Sequence, residues 1–285
     1  MSGSAAARWL LLAALWSLQF IFMRLAVPVF GTAVLAESRA LLGALFLLPY
    51  TVWVLRQSFA PRAHWRDYLA VGLTNNVLPF LFYAWAATIL PAGYLSVING
   101  LVPLWTAVFA AWLLHERMRV ARILGFALGI AGVALIARYG PLELDTRTLL
   151  GTLSAVAAAT IWGWSGVIIK QRNRHVPSME LAAGSITSAA IVMSPLFLAT
   201  PAPASWTGEA ILGMLCLGFL ISGVAYIPFF TLIHDIGATR TLAVGLTVPV
   251  LGIVWGWLLL DEPITASMFG GAALVVIGLV LVMKR

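Results

Sequence analysis

Laid over itself at a shift of 146 residues, the chain matches without a gap: Trp16 falls on Trp162, Arg24 on Lys170, Pro103 on Pro249, Glu116 on Glu262, Gly125 on Gly271 and Gly132 on Gly278. A fold built on this sequence is therefore one unit used twice. The apolarity of the unit decides its surroundings. Hydrophobic residues make up 62% of the chain and charged residues 9%, too few charges for a soluble surface, where about 25% is usual. The chain reads as a membrane protein.

About 20 residues of helix cross roughly 30 Å of hydrocarbon. Ten stretches of this kind are read, at 8–27, 33–55, 67–89, 92–114, 120–138, 148–170, 179–199, 208–233, 239–260 and 264–283. That is five per unit, and an odd number makes the second copy enter from the opposite face. The expected fold is an all-α membrane protein of ten transmembrane helices, arranged as two inverted five-helix repeats around a central cavity. Repeat one covers 8–138 and repeat two 148–283, within one membrane domain spanning 1–285. Inverted repeats of this sort build secondary transporters.

Orientation follows from the short loops. One side collects Arg8, Arg56, Arg62, Arg66, Arg117, Arg119, Arg122, Lys170, Arg172, Arg174, Arg240, Lys284 and Arg285, and the other keeps only Arg24, Arg138 and Arg147. Cytoplasmic loops carry the excess of Lys and Arg, so both termini are expected in the cytoplasm. The net charge of +7 is thus explained by topology, and nucleic acid is not an expected partner. Residues 1–25 could pass for a signal peptide. Their counterpart around Trp162 is internal, so they are read as the first span. The single cysteine, Cys216, excludes an internal disulfide and offers no metal cluster.

No catalytic constellation is found. His64, His115 and His175 lie in or beside loops and His234 ends a span, so no catalytic group, metal site or cofactor is expected; nor is there a phosphate-binding glycine loop. Polar side chains inside the spans carry the functional reading instead, because an unpaired amide in hydrocarbon costs roughly 2–7 kcal/mol. Gln19, Asn75, Asn76, Asn99, Ser165 and Thr247, with Tyr83 and Tyr226, are the candidates for a substrate cavity. Each taken singly is equally open to plain interhelical hydrogen bonding.

The tryptophans fall into two sets by depth. Trp9, Trp53, Trp65, Trp85, Trp112, Trp206 and Trp257 lie near span ends, where an interfacial belt accounts for them. Trp16, Trp105, Trp162 and Trp164 lie deeper, and the repeat places Trp16 and Trp162 equivalently, so this pair is expected to flank a central chamber; Trp105 joins the cavity candidates. Pro103 and Pro249, with Pro79 and Pro228, interrupt helical hydrogen bonding in mid-span and are candidate gating elements. A static bend is the alternative for each. Gly125, Gly129, Gly132, Gly271 and Gly278 are read as close packing within one chain, which favours a monomer over a dimer seam.

Taken together, Trp16-Ser17 and Trp162-Gly163, Pro103 and Pro249, the helix ends Leu114-His115-Glu116 and Leu260-Asp261-Glu262, and the glycines of the last span in each unit resemble the drug/metabolite transporter superfamily, in its ten-span branch of two EamA-type units. The stretch from Leu15 to Pro28 and the tryptophan-rich interior look most like the YddG-type exporters of aromatic amino acids. The resemblance implies a multi-pass protein of a bacterial inner membrane, with spans one to four and six to nine around the cavity and alternating access by rocking bundles. The implied function is export of aromatic and other neutral amino acids, or related small metabolites, with export of hydrophobic cations as the alternative. The small multidrug relatives use a first-span carboxylate, and this chain has Gln19 there. Glu37 and Arg39 are read as an intramembrane charge pair, of structural or coupling use.

Overall fold

The structure is a computed structural model that describes residues 3–115, 119–143, 145–201, 203, 205–237, 240–241 and 243–283. Glu116, Arg117, Lys284 and Arg285, all used in the sequence reading, lie outside the described residues. Among the described residues every regular element is helical. The elements are α1 (Gly3–Pro49), α2 (Pro61–Val71), α3 (Leu78–Ala87), α4 (Ala92–Asn99), α5 (Val102–Leu113), α6 (Val120–Tyr139), α7 (Thr146–Arg172), α8 (Ser178–Ala199), α9 (Gly208–Leu215), α10 (Tyr226–Ile236), α11 (Val248–Leu260) and α12 (Ala266–Met283).

Among the described residues, eight helical runs are long and apolar enough to cross a bilayer. The first, Gly3–Val54, has 52 residues, or roughly 78 Å at the helical rise, far more than one crossing needs. It bends at Gly31, where φ is 69° and ψ 174°. An L side chain rarely adopts that conformation, and open space surrounds the position, so backbone conformation is what calls for glycine there. The separate spans expected at 8–27 and 33–55 are thus the two arms of one run folded at a single residue.

The middles of several spans are irregular. Short π-helical segments, Gly72–Val77 and Cys216–Val224, join α2 to α3 and α9 to α10, and they occupy equivalent positions in the two halves of the chain. The span expected at 92–114 breaks at Gly100 and Leu101 into α4 and α5, and the one at 239–260 contains a 3-10 turn, Ala243–Leu246, ahead of α11. Pro103 and Pro249 stand in the first turn of the helix that follows each break, where a missing N–H removes no helical bond.

Packing exchanges elements between the halves. The second arm of α1 lies against α8 and the π segment before α10, while α7 lies against α3 and α5. Helices α6 and α12 run antiparallel along each other: a Cβ on Gly125 would strike the Gly278 carbonyl, and one on Gly132 would come 2.6 Å from the Gly271 oxygen. Bare backbone at both crossings lets the two helices touch, where lipid supplies no hydrophobic drive to bring them together. Phe20, Tyr83, Tyr94, Leu101 and Val248 belong to the main buried cluster between these layers.

Polar contacts gather at the two ends of the bundle. At one end Glu262 accepts the amides of Ala92 (2.7 Å) and Gly93 (3.0 Å), placing a carboxylate on the first turn of α4, with Arg24 Nε 3.9 Å away. At the other end Arg8 pairs with Asp235 at 2.7 Å and Trp9 Nε1 donates to the Arg240 carbonyl. A second set there joins His64 and Tyr68 to Glu180, and Arg172 and His175 to Asp67. In the connection between the two halves, the Thr148 amide donates to Asp145 at 2.7 Å, caps α7 and holds that carboxyl below its usual range.

Candidate functional site

Pro79 decides the local geometry at the centre. It has no N–H to donate to the carbonyl four residues back, that of Asn75. The indole Nε1 of Trp162 fills the vacancy, donating to the Asn75 oxygen at 2.6 Å. Its ring then lies 5.0 Å from that of Tyr83, itself 5.5 Å from Phe20, and the Tyr83 hydroxyl reaches towards Asn99 Oδ1 at 3.5 Å. Trp16 packs on Phe229 at 5.2 Å. Since Phe229 lies 146 residues beyond Tyr83, the pairs Trp162–Tyr83 and Trp16–Phe229 are one contact made twice, each between opposite halves. Trp16 and Trp162 are held against separate partners.

The same exchange governs the polar side chains. Asn76 Nδ2 donates to Ser185 Oγ at 3.4 Å, and Arg39 Nε donates to Ser222 Oγ at 2.9 Å; Ser222 and Ser185 stand 146 residues beyond Asn76 and Arg39. Arg39 Nη2 also donates to Gln19 Oε1 at 3.2 Å, and its guanidinium lies 3.9 Å over the Phe80 ring. Asn75 touches Asn76 at 3.5 Å and bonds Tyr226, which stacks on Phe230. Ser165 accepts from Thr74 at 3.3 Å. Gln19, Asn76, Tyr83 and Ser165 are buried, whereas Trp16, Asn75, Asn99, Trp162 and Tyr226 keep partial exposure.

Other candidates lie elsewhere. Trp105 turns towards α6, 4.7 Å from Phe126, and its buried indole nitrogen has no partner. The Thr247 hydroxyl is spent on the Val244 carbonyl in its own turn. Trp164 is 42% exposed and faces outward. Pro228 repeats the arrangement of Pro79, following a π segment early in α10. An open groove of about 610 Å³, walled by Leu78, Leu81, Phe82, Trp85, Leu150 and Leu153, lies on the apolar exterior.

Glu37 and Arg39 do not form the pair read from the sequence. Residues two apart on a helix do not face each other, and Glu37 Oε2 is buried without a partner. The sequence reads Arg39 as half of a charge pair of structural or coupling use and not as a cavity residue, yet it is 5% exposed, bonded among the described residues to neutral groups, with Nη1 buried and unpartnered. A buried charge in a span was itself the available signal.

The arrangement is a junction of ring faces, amides and hydroxyls with one cation, and no group of three or more metal-ligating side chains occurs among the described residues. The EamA-like transporter family matches the chain twice, over residues 4–138 and 149–284. The uncharacterized transporter YoaV of Bacillus subtilis is 26% identical, over 93% of this chain and 91% of its own. A probable amino-acid metabolite efflux pump of Escherichia coli is 28% identical, over 95% and 91%. A probable terminal-alkyne amino-acid exporter of Streptantibioticus cattleyicolor is 25% identical, over 95% and 90%. One solved crystal structure shares the fold at a TM-score of 0.66 and 24% identity, over 99% of this chain and 96% of that one. The chain is a multi-pass membrane transporter and belongs to the EamA-like transporter family.

Proposed function

We propose that the protein exports aromatic and other neutral amino acids, or closely related metabolites, by alternating access. The observation that carries this reading is the central junction, where Trp162–Tyr83 and Trp16–Phe229 put ring surfaces beside Gln19, Asn75 and Asn76. A substrate with a ring at one end and a zwitterion at the other suits such mixed surroundings. Two relatives, a probable amino-acid metabolite efflux pump and a probable terminal-alkyne amino-acid exporter, support the same class.

Ten spans in two inverted halves are part of the proposal. Counting α1 as two crossings and α11 with its preceding turn as one gives that number. The ion pairs and amide bonds described at the bundle ends then join residues that the threading puts on one face: Arg24, Ala92 and Glu262 on one, and Arg8, Asp235, Asp67, Glu180 and Arg172 on the other. The antiparallel contact of α6 with α12, with Gly125 on Gly278 and Gly132 on Gly271, has the exchange symmetry of a two-fold axis in the membrane plane. The side richer in Lys and Arg is assigned to the cytoplasm of a bacterial inner membrane.

Export of hydrophobic cations is the second reading, favoured by one feature, the buried and unpartnered Glu37 Oε2. Ligand-induced thermal stabilisation separates the two. A ligand at about 100 times its Kd stabilises the folded state by about 2.7 kcal/mol. In detergent, neutral aromatic amino acids should raise Tm while lipophilic cations leave it in place. The reverse pattern would establish the cation reading and reject ours.

A further inference from the structure

Arg39 is a cation without an anion. Its hydrogen-bond acceptors, Ser222 Oγ at 2.9 Å and Gln19 Oε1 at 3.2 Å, are neutral, as is the Phe80 ring 3.9 Å beneath it. Nη1 is buried and has no acceptor. Among the described residues no carboxylate stands within ion-pair distance of the guanidinium, and Glu37 projects from another face of the same helix. A charge held at membrane depth on neutral partners marks a functional position by default.

The fold does not itself require the charge. At the equivalent place in the other half Ser185 bonds Asn76 as Arg39 bonds Ser222, so a small hydroxyl serves the same helix contact. What arginine adds is a rigid fork of donors matched to a carboxylate. Two of its three nitrogens are already oriented by Ser222 and Gln19, which fixes the direction of the third. Tyr226, which Asn75 hydrogen-bonds, lies within electrostatic reach of the guanidinium.

We infer that Arg39 is the carboxylate-binding residue of the transport site, its free Nη1 donating to the α-carboxylate of the exported amino acid. This rests on the amino-acid export reading. It also makes the site hostile to cations, because a ligand lacking an anionic group would leave the guanidinium uncompensated and bring a like charge towards it.

The test compares phenylalanine with phenylalaninamide, at about pH 6 so that both carry the ammonium group. Thermal stabilisation and counterflow are measured on the full chain. Wild-type protein should prefer the acid on the order of 10–100-fold, the value of a charge-assisted hydrogen bond. Arg39→Gln should erase that preference by weakening the acid alone, and Arg39→Lys should keep part of it. Equal binding of acid and amide by wild-type protein overturns the assignment while leaving amino-acid export standing, and needs no variant to fold. Arg39→Gln with an undiminished preference overturns it too. Binding of neither ligand, nor of any other neutral amino acid, rejects the export reading and the assignment with it.

Discussion

Trp162 donates to the Asn75 carbonyl, four residues before Pro79, which has no N–H to offer that oxygen. Trp162→Phe keeps the ring against Tyr83 and removes the donor. Leaving this part-buried acceptor unpaired costs at most about 1–3 kcal/mol, so Tm in detergent should fall. Pro79→Ala offers Asn75 a helical N–H, so the double variant Trp162→Phe, Pro79→Ala should lose less than Trp162→Phe alone. Equal losses would show that the oxygen has another partner. The sequence revealed both residues, and it could not reveal their connection, because a proline announces a missing donor but not which distant side chain replaces it. Arg39 was legible only as half of a charge pair, because closeness in sequence to Glu37 suggested a partner that helical geometry forbids. Gln19, Asn75 and Asn76, by contrast, were legible, since amides in an apolar run have few places to go.

At the scale of elements, the breaks ahead of Pro103 and Pro249 stand at equivalent points of the two halves, before α5 and α11. If the halves are inverted, one break can open its end of the pathway while the other closes the opposite end. Pro103→Ala permits α4 and α5 to join through Gly100 and Leu101, stiffening the break without touching the central junction. The expected result is slower flux with ligand-induced stabilisation largely kept, since a gate affects interconversion more than site contacts. Loss of both by the same factor, or of neither, makes the proline a packing feature. The helices long enough to cross a bilayer, eight among the described residues, were legible from apolar runs. The π segments Gly72–Val77 and Cys216–Val224 were not, because no residue preference separates one wide turn from ordinary helix. The fold at Gly31 was hidden as well: one left-handed residue did the work expected of a loop.

For the whole molecule, the duplication visible as a 146-residue shift prefigures contacts that only the structure displays. Trp162–Tyr83 with Trp16–Phe229, and Asn76–Ser185 with Ser222–Arg39, are pairs that exchange partners between halves. The topology they support is open to labelling. In a Cys216→Ala background, Ala60→Cys should react with an impermeant maleimide from the cytoplasm and Ser205→Cys from outside; labelling from the opposite sides would invert the assignment. The central claim is the substrate class, and counterflow in proteoliposomes tests it most directly. Vesicles loaded with unlabelled phenylalanine should accumulate labelled phenylalanine, tryptophan or other neutral amino acids, and should not take up a lipophilic cationic dye. Dye accumulation without amino-acid counterflow would contradict the account.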